Sequence, residues 1–114
     1  MSAAVASEPL VVFSTAPDLS SARVVARALV EQRLAACVQL GPGLASVYRW
    51  QGAIEEAAEV ALAIKTVRAR LPELERELAR LHPYAVPELV ALAPEHVGAA
   101  YRAWLIAETA PVAP

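Results

Sequence analysis

The chain has 114 residues, 57% of them hydrophobic, and ten basic against twelve acidic side chains give it a formal net charge of −2. That is enough apolar material for one packed core and too little length for a second domain. There is no basic run to neutralise a phosphate backbone, and Arg, Glu, Pro or Gly interrupts each apolar stretch well short of the ~18 residues of a membrane span, so neither nucleic acid nor a bilayer is an expected partner.

Residues 1–9 lack the positive charge and leucine-rich run of a secretory leader; they are expected to form a flexible tail ahead of a cytoplasmic domain spanning 10–109. Leu10-Val11-Val12-Phe13-Ser14-Thr15 is apolar on both faces, which predicts a strand covered on both sides or a central strand. Asp18, Ser20 or Ser21 can then cap a helix whose stripe is Ala22, Val25, Ala26, Leu29 and Val30. A second strand is predicted over 35–40, and its apolar setting makes Cys37, the sole cysteine, a small buried hydrophobe that can form no intrachain disulfide. Gly41-Pro42-Gly43 should bend or bulge this strand before it resumes as Ser46-Val47-Tyr48-Arg49-Trp50, with Ser46, Tyr48 and Trp50 on one face.

Gln51-Gly52 reads as a tight turn into the clearest alternation in the chain. Val60, Leu62 and Ile64 point one way; Glu59, Ala61, Ala63 and Lys65 point the other. A strand from Ile54 to Val67 would reach about 45 Å, whereas a compact chain of this length has a radius of gyration of about 13 Å. The hairpin should therefore overshoot its own subunit. Leu71-Pro72 opens a second helix with Leu71, Leu74, Leu78 and Leu81 as its buried stripe and Glu73–Arg76 and Glu77–Arg80 as surface pairs. His82-Pro83 ends that helix, Pro87 to Pro94 reads as a proline-bounded strand, and 99–107 as a last amphipathic helix before a flexible tail over 110–114. The order βαββαβ plus a helix predicts an α+β, ferredoxin-like sandwich with its helices on one face of an antiparallel sheet and an added C-terminal helix.

Four stretches of this sequence resemble the CutA divalent-cation-tolerance family. They are Thr15-Ala16-Pro17-Asp18; Leu34-Ala35-Ala36-Cys37-Val38; Ser46-x-Tyr48-x-Trp50-x-Gly52 with Glu59 and Lys65-Thr66 downstream; and His82-Pro83-Tyr84-x-x-Pro87-Glu88. The resemblance runs from about Leu10 to Glu108. It implies a ferredoxin-like subunit that assembles into a homotrimer through its long hairpin, in an arrangement similar to PII signalling proteins. It also implies an association with tolerance to divalent metals, copper in particular, and no established catalysed reaction. Some relatives place Cys at the position of Ser14 and a second His at that of Leu81, leaving His82 as the one metal ligand of that set here. One imidazole is a poor site for Cu(II), which takes several N or S donors.

The candidate ligand-binding residues are Trp50, Glu59, Lys65, Tyr84 and Glu88, with His82 as the candidate metal ligand and a divalent metal such as copper as the possible cofactor. His82-Pro83-Tyr84 beside Pro87-Glu88 reads either as a stiff site loop or as a rigid turn whose histidine caps a helix end. Tyr48 and Trp50 read either as site residues or as interface aromatics. Glu59 and Lys65 share a face but lie about 20 Å apart along the strand, so they cannot pair within one chain. Three functions follow: a non-enzymatic trimer binding a metal or small ligand in clefts between subunits; a PII-like regulatory trimer acting on a protein partner; or an acid/base enzyme using Lys65, His82 and Glu88. No Gly-rich phosphate loop, Ser-His-Asp order or metal-hydrolase motif supports the last, and the protein is expected not to be an enzyme.

Overall fold

The structure, a computed structural model, describes residues 1–112. Its elements are α1 (Ala3–Ala6), β1 (Pro9–Ala16), α2 (Leu19–Glu31), β2 (Cys37–Trp50), β3 (Ala53–Val67), α3 (Leu71–Leu81), β4 (Val90–Leu92) and α4 (Ala99–Thr109). The four strands form one sheet in the order β2-β3-β1-β4, with every neighbouring pair antiparallel. Strand alternation sorts the side chains. Val12, Ala16, Leu62 and Ile64 face α2 and α3, where they pack with Val25, Leu29, Leu74 and Leu78 into the main core. Among the described residues no helix is long and apolar enough to cross a membrane.

Of the three possible caps of α2, Asp18 is the one used. Its Oδ1 accepts the Ser21 backbone N–H at 2.7 Å and the Ser21 hydroxyl at 2.8 Å. These bonds, the backbone one first, hold the Asp18 carboxyl below the usual range. Asp18→Ala is expected to lower the thermal midpoint by a few degrees, and Asp18→Asn, which keeps a capping oxygen, to retain most of it. Scanning calorimetry of both variants checks this; equal midpoints for alanine and wild type would refute the cap. Val30, placed in the helix's apolar stripe by its spacing, is 42% exposed, because the buried strip ends at Leu29.

Several expectations need correction. The segment before β1 contains a short helix capped by Ser2, and Glu8 pairs with Arg68 at 2.8 Å, so local capping and an ion pair give structure to a stretch expected to be a flexible tail. Cys37 is only partly buried, since the strand turns it to the face opposite the core, beside Lys65. The helices do not all share one face. Leu105 of α4 packs on Ala36 and Val67, on the face opposite α2 and α3, and Arg33 donates to the α4 carbonyls of Ala107 at 2.7 Å and to Ala110 at 2.8 Å. Ala110 is thus tied to Arg33 through its carbonyl while its side chain stays exposed, and residues 113–114 of the expected tail lie outside the described residues. Glu77 pairs with Arg80, but Glu73 and Arg76 form no ion pair. The proline-bounded strand shrinks to three residues because the chain from His82 to Leu89 instead wraps the end of the sheet.

The hairpin of β2 and β3 does overshoot. The register slips between Leu40 and Gly43, and pairing then runs from Gly43↔Val60 to Trp50↔Ala53. Gln51 (φ 49°) and Gly52 (φ 82°) close the hairpin in the left-handed region, the pattern of a two-residue primed turn that matches strand twist. β1 ends at Ala16↔Val60, so residues 53–59 of β3 have β2 on one side and an open edge on the other. A two-stranded ribbon leaves the body here, and the molecule measures 45 × 31 × 25 Å with a radius of gyration of 14.9 Å.

Candidate functional site

Where the ribbon leaves the sheet, a cleft of about 510 Å³ opens between it and the loop after α3. The pleat supplies one wall. Ser46, Tyr48 and Trp50 alternate onto one face of β2, and antiparallel pairing puts Glu59 of β3 on that same face. The other wall is Pro83, Tyr84, Ala85, Val86, Pro87 and Glu88, and Thr15 closes the end. Two prolines restrict the loop backbone to extended shapes, which keeps this wall open without regular structure.

Four of the five candidate ligand residues, Trp50, Glu59, Tyr84 and Glu88, therefore line one cleft. Lys65 does not. It lies toward the opposite end of β3, where its Nζ donates to Gln39 Oε1 at 3.0 Å and sits 5.9 Å from the centre of the Tyr101 ring. Its rarity in the sequence carried no information about position. Thr15 lines the cleft although it was not singled out as a site residue, and Tyr48, for which a site and an interface reading were both open, lines it beside Trp50, whose pleat parity it shares.

Glu59 organises the floor. Only 8% exposed, it accepts the Tyr84 hydroxyl on Oε2 at 2.9 Å. Burial opposes its charge. The hydrogen bond from the Tyr84 hydroxyl, with the Ser46 and Thr15 hydroxyls close by, nevertheless outweighs that and holds the carboxyl below its usual range. For Tyr84, burial and the Glu59 carboxylate push the phenol up to about 12. Because the folded value of Glu59 is depressed, its contribution to stability is complete above the unfolded value near 4.5 and is lost as pH falls through the lower folded value. Urea midpoints of wild type and Glu59→Gln should accordingly differ at pH 7 and converge as acidification passes below the unfolded value; parallel curves would contradict this.

His82 stands behind the wall, 7% exposed and 4.8 Å from the Tyr84 ring centre. Its Nε2 lies 2.6 Å from the Thr15 carbonyl oxygen, which can only accept, so Nε2 carries the proton. Its Nδ1 accepts the Tyr84 backbone N–H at 3.1 Å. Both ring nitrogens are thus committed to fixing the loop, and no lone pair is left for a metal. Ser14 is buried on the core face, and among the described residues no group of three His, Cys, Asp or Glu side chains could hold a metal ion. The residues present do not fit a metal centred on His82.

The family model described as CutA1 divalent ion tolerance protein matches residues 10–108. A divalent-cation tolerance protein CutA of Thermus thermophilus is 48% identical over 83% of this chain and 92% of its own length. A solved structure described as a divalent cation tolerance protein (Cut A1) from Thermus thermophilus is 46% identical and superposes with a TM-score of 0.87, covering 90% of this chain and 99% of that one. Protein CutA of mouse is 44% identical over 82% of this chain, which spans 52% of the mouse protein. A solved structure from Archaeoglobus fulgidus, described as a periplasmic divalent cation tolerance protein CutA, is 30% identical with a TM-score of 0.86, over 90% of this chain and 99% of that one.

Proposed function

The chain belongs to the CutA1 divalent ion tolerance family, and from that premise we propose that it acts in metal tolerance without catalysis, as a cytoplasmic homotrimer of ferredoxin-like subunits that binds a small ligand in clefts where subunits meet. The observation that carries this reading is the placement of the cleft at the root of a ribbon that has left its own sheet. A two-stranded ribbon is marginal in water and its open edge invites another strand. Val47 and Ile54 on the ribbon are 65% and 70% exposed, and Phe13, Val90 and Leu92 are exposed on the sheet face opposite the main core. These surfaces need a neighbour. A cyclic trimer would also bring a second subunit to the cleft rim.

The acid/base alternative has little support, because Lys65 and the cleft occupy different parts of β3. Tolerance is proposed not to run through a metal resident on His82, whose nitrogens are both engaged. Expression of the chain in a copper-sensitive bacterial host lacking its own copy should restore growth in Cu(II). A Trp50→Ala/Tyr84→Phe variant at the same protein level should not; equal rescue by the variant would show that the cleft is not the working part.

A further inference from the structure

We propose that the cleft takes an organic cation, a quaternary or substituted ammonium or a guanidinium group, seated against the faces of Tyr48, Trp50 and Tyr84 over the carboxylates of Glu59 and Glu88. This rests on the cleft being a ligand site and names the class of ligand it takes. Of its ten lining residues three are aromatic, two are carboxylates and none is Lys, Arg or His. Aromatic faces carry negative potential and attract cations, most strongly when the site excludes water. Within this chain's own share of the lining an anion would meet two carboxylates with no counter-charge, which disfavours it.

The chemistry also separates an organic cation from a bare metal ion. A divalent metal must replace its hydration shell with direct oxygen or nitrogen ligands. Glu59 Oε2 already accepts the Tyr84 hydroxyl at 2.9 Å, and both His82 nitrogens are occupied. That leaves the Glu88 carboxylate as the one acidic group on the rim without a protein partner among the described hydrogen bonds and ion pairs. An alkylated ammonium asks for none of this: its charge is diffuse, its hydration weak, and its surface matches carbon-rich walls. Tyr48 and Trp50 are 43% and 41% exposed, so each ring keeps a surface that such a ligand would cover. The volume of about 510 Å³ accommodates a small amine with its substituents.

Calorimetric titration of the wild-type protein with benzyltrimethylammonium, its neutral carbon isostere and benzoate tests the proposal. The cation should bind at least tenfold more tightly than the isostere and benzoate should not bind; Trp50→Leu and Glu88→Gln should each weaken the cation at least fivefold. Glu59→Gln is left out because that residue also supports the fold. Binding of the isostere or benzoate as tightly as the cation, or unchanged cation affinity in both variants, would overturn the ligand class. If the isostere or benzoate binds with loss in Trp50→Leu, the class falls while the cleft stands as a ligand site. If none of the three binds, the ligand-site reading falls with it.

Discussion

His82→Ala is expected to lower the free energy of unfolding by about 2–4 kcal/mol, which is large for the loss of one polar side chain. The imidazole is 7% exposed and bridges two elements far apart in sequence, donating to the Thr15 carbonyl of β1 and accepting the Tyr84 N–H of the loop. Truncation leaves both backbone groups without a partner where water enters poorly, and each orphaned group costs about 1–3 kcal/mol. It also opens a void beside Tyr84, whose hydroxyl fixes Glu59, so the cleft floor should loosen along with the loop. Urea denaturation at neutral pH measures the loss. A change below about 0.5 kcal/mol, within the range of neutral surface substitutions, would contradict the bridging role. Ligand affinity would then have to be examined for a direct His82 contact.

The alternation in Val60, Leu62 and Ile64 and the 3.6-residue stripe of α2 were readable because burial on one face leaves a periodic trace. The overshooting ribbon followed from length alone. The loop from His82 to Leu89 was not legible in the same way: its prolines announce stiffness but not direction, and its path depends on long-range bonds to Thr15 and Glu59, which leave no local pattern. The same loop explains why Trp50, Glu59, Tyr84 and Glu88 converge while Lys65 does not. Pleat parity says which face a residue takes, whereas its position along a 15-residue strand decides which end of the molecule it reaches. The two readings of His82, ligand or rigid turn, could be separated only by seeing what its nitrogens face. The place of α4 on the second sheet face was equally hidden, since an amphipathic stripe does not record which apolar surface it meets.

Shortening the ribbon is expected to have the other large effect. Ser46 and Ala57 are paired, so residues 47–56 can be replaced by a two-residue Asn-Gly turn without disturbing the register below them. All of the main core residues lie outside the deleted segment, so the sheet and α2 and α3 should still fold. Tyr48 and Trp50 go with the ribbon, and so does the edge proposed to pair with a neighbour. The shortened chain should therefore be a folded monomer without the cleft.

The most direct test of the proposed assembly is the molar mass of the wild-type protein by light scattering at micromolar concentration, with the shortened chain as the control. The ribbon account predicts three times the 12.1 kDa of one chain for wild type and a single chain for the shortened form; a folded 12.1 kDa wild-type monomer would contradict it.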